Sequence, residues 1–310
     1  MRAVALTEFG STPTLIEIDI PEPGDGEVRV RVHAASVNGF DVAVASGYLK
    51  GMMEHRFPAV LGKDFAGTVD GVGAGVTGYA EGDRVFGVVT KSFLGDGSFG
   101  EYVTVPVAVG LARLPENVDF TEAAALGLAG TAALDSVQAA GPATGSTVLV
   151  AGATGGVGSQ VVQLAAGAGA RVIATAHTEE EKAQVTGLGA HEVVDYREDM
   201  AAAVLSGHPE GIDAVIHLAG DAAALLPVLR EGGRLVSTLI GSPDQLPAEA
   251  AVVIPVYAYP AQATLERLAE NQATGATSVT VQRTYRLEEV PAALADFAAG
   301  TRGKLVITLD

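Results

Sequence analysis

The 310-residue sequence predicts a two-domain α/β protein, a β-rich domain joined to a doubly wound parallel sheet. Three observations predict it. In the first hundred residues Val28, Val30 and Val32 alternate with polar or charged neighbours, the period of a half-buried strand. Beyond residue 120, Val/Ile-rich runs alternate with helical stretches, the pattern of a parallel sheet covered on both faces. Between them, Val148–Gly158 runs from an apolar strand through a glycine-rich turn directly into a helix.

Taken in order, the elements fill in this outline. Gly67–Val72 and Asp83–Val89 are short apolar runs separated by turn sequence, and Pro21–Gly26 and Gly95–Gly100 are further turn signals. Many short strands with glycine-rich turns suggest a barrel-like or sandwich domain. A helix is predicted over Thr121–Ala140. Strands at Thr147–Ala151, Arg171–Thr175 and Glu192–Val194 then alternate with helices at Ser159–Ala168 and Glu179–Leu188. Ala214–Leu218, Arg234–Leu239 and Ala251–Val256 are three more apolar runs, and Pro260–Gln272 reads as a helix. The tail, Ser278–Asp310, reads as strand–helix–strand and ends on Lys304–Leu309.

Composition narrows the function classes. Without cysteine, disulfides and thiolate metal sites are impossible, which agrees with a reducing cytoplasm. The N-terminus lacks the apolar stretch of a signal peptide, and the longest apolar run, Ala123–Leu134, is shorter than the roughly 20 residues of a membrane span. A net charge of −18 repels nucleic acid and acidic membranes, so the expected ligand is a small molecule. The six histidines, His33, His55, His177, His191, His208 and His217, show no metal-ligand spacing.

The glycine turn carries the most specific chemistry. A helix N-terminus presents unpaired N–H groups and the positive end of its dipole, a setting for a pyrophosphate. Gly152, Thr154, Gly155, Gly156 and Val157 form the turn, in which Gly155 and Gly156 let backbone approach phosphate. Gly158 lets helix and strand pack closely. Ala153 replaces the first glycine of the usual dinucleotide fingerprint. The second strand ends at Thr175, Ala176 and His177 without the acid that accepts from the ribose hydroxyls of NAD. Together with Lys182 and nearby Arg197 this favours NADP(H), while the acidic run Glu179–Glu181 argues the other way.

The whole chain resembles the medium-chain dehydrogenase/reductase superfamily, and its zinc-free quinone oxidoreductase (zeta-crystallin-like) branch in particular. MRAVALTEFG, SVNGFDVAVASGYL, FPAVLGKDFAGTV, EGDRVFG, GSFGEYV, AGATGGVGSQVVQLA, VVDYRED, EGGRLV and GKLVI carry the resemblance. It implies a GroES-like catalytic domain from residues 1–121 and 259–310 and a Rossmann domain from 122–258. Residues 38, 63 and 126 match the catalytic zinc ligands of the metal-dependent relatives, but are Asn38, Lys63 and Leu126, which cannot rebuild a zinc shell. KSFLGDGSFGEY crosses the position of the structural zinc lobe without its cysteines.

By the same resemblance, Asn38 and Tyr48 line the substrate cleft, Lys182 and Tyr196 hold a 2′-phosphate, and Thr131 approaches the nicotinamide. Leu218 and Gly241 are further cofactor contacts. Asp41 matches an often acidic position. Its catalytic reading stands beside a structural one, in which it pairs with Lys63 or orients backbone. Lys63 is either a substrate anchor or the partner of Asp64 or Asp41. The edge strand near Tyr257 and Tyr259 implies a homodimer. The implied activity is NADPH-dependent reduction of a quinone or α,β-unsaturated carbonyl, with Asn38 or Tyr48 stabilising the developing oxyanion. A short-chain carbonyl reductase is set aside, because no Tyr is followed four residues later by Lys. An NADPH-binding protein with a structural or regulatory role stands as the alternative, since the fingerprint reports binding and not turnover.

Overall fold

The computed structural model describes residues 1–247 and 251–309; the parts of the expected domains and tail at 248–250 and 310 lie outside the described residues. The chain forms two compact units. The first comprises Met1–Thr131, Pro260–Gly275 and Val279–Asp310, the second Ala132–Tyr259 with Ala276–Ser278. The chain passes from the first to the second inside a helix, at Thr131, rather than at that helix's start.

The first unit opens with β1 (Arg2–Leu6), β2 (Thr14–Glu17), β3 (Glu27–Ser36), α1 (Gly39–Ala45), β4 (Glu54–Val60) and β5 (Asp64–Val72). It continues through β6 (Arg84–Val88), β7 (Phe93–Asp96), β8 (Tyr102–Pro106), β9 (Leu111–Arg113) and α2 (Phe120–Ala140). The period of two holds in β3, where Val28, Val30 and Val32 are buried. They pack with Phe65, Leu111 and Val105 in the core of the unit. Each fully buried large aliphatic or aromatic side chain there contributes about 1.5–3 kcal/mol.

In the second unit come β10 (Thr147–Ala151), α3 (Gly156–Gly167), β11 (Arg171–Thr175), α4 (Glu179–Gly187) and β12 (Glu192–Val194). They are followed by α5 (Met200–Gly207), β13 (Ile212–His217), β14 (Leu229–Ser237) and β15 (Val252–Pro255). The six strands lie in the order β12-β11-β10-β13-β14-β15, with every neighbouring pair parallel. Side chains along each strand divide between two cores. Val148, Val150, Val172 and Ile216 pack with α3 and α4 on one face. Leu149, Ile173, Val215 and Leu235 pack with Val204 of α5 and Leu225 on the other. A sheet buried on both faces cannot alternate apolar with polar, which is why these strands read as continuous apolar runs.

The remaining elements return to the first unit: α6 (Gln262–Thr274), β16 (Val281–Arg286), α7 (Val290–Ala298) and β17 (Lys304–Thr308). β17 pairs parallel with β16 and antiparallel with β3, completing a seven-stranded sheet in the order β16-β17-β3-β5-β6-β9 with β8 also on β3. A four-stranded sheet, β2-β1-β4-β7, accompanies it. The first unit is thus a GroES-like β-rich domain and the second a Rossmann-like domain.

Candidate functional site

In the second unit the sheet reverses its strand order between β10 and β13, where doubly wound sheets bind ligands beyond the carboxyl ends of their strands. The turn after β10 sits there. α3 begins at Gly156, three residues earlier than its apolar periodicity suggests, so Gly156, Val157 and Gly158 form its first turn. Its N-cap, Gly155, offers no side-chain cap, which leaves the N–H groups of that turn directed at any bound anion. Gly152 has φ +92°, and a Cβ on Gly158 would lie 2.1 Å from the Gly152 carbonyl oxygen. The close approach of helix to strand therefore requires Gly158. This cradle suits a pyrophosphate.

Thr175 lies at the end of β11 but faces inward. Its hydroxyl accepts from the N–H of Gly152 (2.9 Å) and lies 3.3 Å from the Val150 carbonyl. It braces the turn from below. Thr154 offers its carbonyl to Gln184, and Leu218 donates its N–H to Ala151 (2.9 Å). Gly241 donates to Gln245 (2.8 Å) and accepts from the Tyr257 hydroxyl.

His177, Lys182 and Tyr196 come together past the ends of β11 and β12, each beside a carboxylate. His177 Nδ1 lies 2.7 Å from Asp195, and its ring centroid is 5.9 Å from that of Tyr196. Lys182 pairs with Glu179 at 2.9 Å, and Tyr196 donates to Glu181 at 3.3 Å. Glu181 also accepts from the N–H groups of His177 and Thr178 as part of the α4 capping box. A backbone bond from Arg197 and the His177 contact hold the Asp195 carboxyl below its usual range. The acidic run is therefore both a helix start and the partner set of the expected phosphate ligands.

In the first unit a buried polar cluster gathers around Asp64, which is fully buried. One carboxylate oxygen accepts from the Ser36 hydroxyl (2.7 Å) and the Asn38 amide (2.9 Å) and faces Lys304 Nζ at 3.5 Å. The other accepts from the Leu128 N–H (2.7 Å). A Cβ on Gly127 would lie 2.6 Å from that oxygen, so glycine is what lets the carboxylate reach the helix backbone. Lys304, only 4% exposed, donates further to the Val37 carbonyl (3.0 Å) and to Asn38 Oδ1 (2.6 Å). Burial lowers the Lys304 pKa against the pull of Asp64 and Asp41. Residues 38, 64 and 127–128, at or beside the three positions aligned with zinc ligands, thus converge on a carboxylate neutralised by the chain's own ammonium.

This arrangement corrects one sequence expectation and bears on another. Lys63 is not the ion-pair partner of Asp64 or Asp41. It donates to the Val89 carbonyl (2.6 Å) and lies 4.8 Å above the Phe40 ring, and burial lowers its pKa. Among the described residues, the lysine within ion-pair distance of Asp64 is Lys304. Asn38, expected to donate to a substrate oxygen, spends one amide N–H on Asp64 and directs the other at the Ser36 carbonyl (3.4 Å). Its donors are satisfied internally because the buried carboxylate competes for them.

Asp41 is buried in the first turn of α1 and accepts from the Asn38 N–H (2.8 Å). Burial, helped by nearby Asp64, pushes its carboxyl up to about 7 against the effect of that hydrogen bond. Tyr48 is 73% exposed on the turn that follows α1. The Thr131 hydroxyl donates to the Gly127 carbonyl one helical turn back (2.8 Å). Neither Lys304 nor Ser237 stood out as a site residue in the sequence, where Asp64 entered only as a possible partner of Lys63 and His217 only as a histidine without ligand spacing. A lysine opening the apolar run KLVIT was the available signal for Lys304.

Comparison with known proteins places the chain. Residues 24–116 match the alcohol dehydrogenase GroES-like domain and residues 188–307 the zinc-binding dehydrogenase family. Residues 148–227, spanning the glycine turn, match the NAD dependent epimerase/dehydratase family. A quinone oxidoreductase of Lama guanicoe is 31% identical over 250 residues, covering 78% of this chain and 73% of its own. The human quinone oxidoreductase is 30% identical over the same shares. Among solved structures, the quinone oxidoreductase from Coxiella burnetii superposes with a TM-score of 0.89 at 27% identity, covering 100% of this chain and 99% of its own. A mycobacterial relative in complex with NADPH gives 0.87 at 28% identity, covering 100% of both chains. The chain belongs to the medium-chain dehydrogenase/reductase superfamily, in its zeta-crystallin-like quinone oxidoreductase branch, and is an oxidoreductase of that type.

Proposed function

We propose that this protein is an NADPH-dependent, metal-free oxidoreductase that reduces a quinone or an α,β-unsaturated carbonyl. The observation that carries the reading is the uncapped N-terminus of α3 over the Gly152–Gly158 cradle. A bound reduced nicotinamide supplies the hydride. Gly155, Gly156, Val157 and Gly158 would hold its pyrophosphate, and Lys182, Tyr196 and His177 would meet the 2′-phosphate, with Lys182 giving up Glu179. The NADPH-bound mycobacterial relative supports this cofactor, and the quinone oxidoreductases support the substrate class, as does a 2-methylene-furan-3-one reductase of Solanum lycopersicum at 33% identity.

A conjugated acceptor suits a site without a metal, because conjugation already makes its carbon electrophilic. Asn38, Lys63 and Leu126 support the metal-free assignment, since the first two are engaged with neighbouring groups and the third is inert. Exposed Tyr48 is then the available hydroxyl donor for the substrate oxygen, and Lys63 and Asp41 bear on the proton balance. The chain is further proposed to act in the cytoplasm as a homodimer, its exposed β15 edge with Tyr257 and Tyr259 offering the pairing surface.

The internal engagement of the Asn38 amide favours a second reading, an NADPH-binding protein with little turnover. Purified protein mixed with NADPH and a panel of quinones and enones separates the two. Acceptor-dependent loss of NADPH absorbance is expected, while binding without consumption on any acceptor supports the second reading.

A further inference from the structure

His217 closes β13 and stands in register with Ser237, the last residue of β14. Both are buried. The Gly220 carbonyl, 3.1 Å from Nε2, can only accept, so Nε2 carries the proton. The Ser237 hydroxyl accepts the Leu239 N–H (3.0 Å) and turns its own proton toward Nδ1 (2.9 Å). One directed chain therefore runs from the Leu239 N–H through Ser237 and His217 to the Gly220 carbonyl. It ties together the loops that leave β13 and β14.

Each of these loops is braced against another part of the second unit. The first lies directly on the phosphate turn, since a Cβ on Gly152 would lie 3.1 Å from Ala219 Cβ and 3.2 Å from Leu218 Cβ. The second is held at Gly241 by Gln245 and Tyr257. In a doubly wound sheet the strands before the switch point carry the adenosine half of a dinucleotide, so β13 and β14 face the other half.

We propose that His217 is a positioning residue, acting through Ser237, that sets the spacing of the Leu218–Gly220 and Leu239–Gly241 loops for the nicotinamide half of the cofactor. The inference rests on the dinucleotide reading above. A ring with a donor on one edge and an acceptor on the other links the Gly220 carbonyl to the Ser237 hydroxyl and leaves neither ring nitrogen of the buried imidazole, nor the buried hydroxyl, unpaired. An apolar residue of similar size, such as phenylalanine, breaks the chain at both ends.

The test is a fluorescence or calorimetric titration of wild type, His217→Phe and Ser237→Ala with NADPH and NADH. Each dinucleotide is paired with its own fragment, 2′-phospho-ADP-ribose or ADP-ribose. Both variants are expected to bind the preferred dinucleotide about tenfold more weakly, the loss of one or two hydrogen bonds, and its fragment within about twofold of wild type. Equal weakening of dinucleotide and fragment, or of neither, overturns the proposal. If His217→Phe fails to fold, Ser237→Ala, which deletes a single oxygen, decides alone. Wild type binding neither dinucleotide overturns the cofactor reading, and this inference with it; a wild type that binds while the variants show no selective loss overturns only the inference.

Discussion

Lys304 Nζ lies 2.6 Å from Oδ1 of Asn38, a contact between residues 266 positions apart in the chain. It brings the final strand onto the start of α1, and through Asp64 onto the backbone of α2. Removing the ammonium would leave a buried carboxylate without its countercharge. Lys304→Met is therefore expected to destabilise the protein by about 3–5 kcal/mol in urea unfolding at pH 7. The double variant Lys304→Met/Asp64→Asn should recover part of that loss, because the uncompensated charge is gone. Strict additivity in the cycle would contradict the pairing.

The glycine turn separates fold from ligand. Gly158→Ala places a Cβ 2.1 Å from a backbone oxygen and should cost both stability and nicotinamide binding. At Gly155 the nearest atom to an added Cβ is 3.6 Å away and φ is −74°, so Gly155→Ala should change stability by less than about 0.5 kcal/mol. It should still weaken dinucleotide binding, because the methyl group occupies the approach to the phosphates. Thermal melts and cofactor titrations on the pair read the two effects independently.

Cofactor preference should respond to Glu179. Its carboxylate holds Lys182 at 2.9 Å and opposes a 2′-phosphate. Glu179→Gln frees the ammonium and removes one negative charge, so the ratio of NADPH to NADH affinity is expected to rise about two- to fivefold, as suits an exposed pair. The gain should shrink at high salt. An unchanged ratio at low salt would detach Lys182 from the phosphate site.

Asp41 gives stability a definite pH slope. Its carboxyl titrates at about 7 in the folded protein against 3.8 for the free side chain. Below the lower value it is protonated in both states and contributes no difference. As pH rises from 3.8 to about 7 the unfolded chain releases the proton first, so the contribution of Asp41 to stability falls across that window and is lowest above it. Asp41→Asn should flatten this fall in denaturation curves measured between pH 4 and 7.5. An identical pH dependence in wild type and variant would show that burial does not hold the proton.

Much of the second unit was legible along the chain. Arg171–Thr175 and Thr147–Ala151 are strands with the bounds their apolar runs suggest, because a strand buried on both faces writes itself as consecutive apolar residues. α3 began earlier than its periodicity showed, since glycines carry no hydrophobic signal and the first turn of that helix contains two of them. α5 and the early start of β14 at Leu229 also escaped, the latter because Arg230–Gly233 interrupts the apolar pattern.

The candidate site divides the same way. The glycine cradle is local, made within one strand–turn–helix, and its spacing in sequence is its geometry in space. The resemblance likewise marked Asn38, Asp41 and Lys63, but not their partners. Which lysine neutralises Asp64, and whether the Asn38 amide is free, depend on contacts across 26 to 266 residues, for which a linear sequence carries no distance. The sequence by itself determined the fold class and the glycine-rich turn between β10 and α3, because periodicity and glycine act at short range, and its resemblance marked Asn38, Lys63 and Leu126 at the positions of the relatives' zinc ligands. Only the tertiary structure decided that Lys304 rather than Lys63 pairs with Asp64, that acidic partners hold Lys182 and His177, and that His217 links two loops. A buried charge or donor takes whichever partner the packed backbone brings within 3 Å or so, and that choice is made by the fold as a whole.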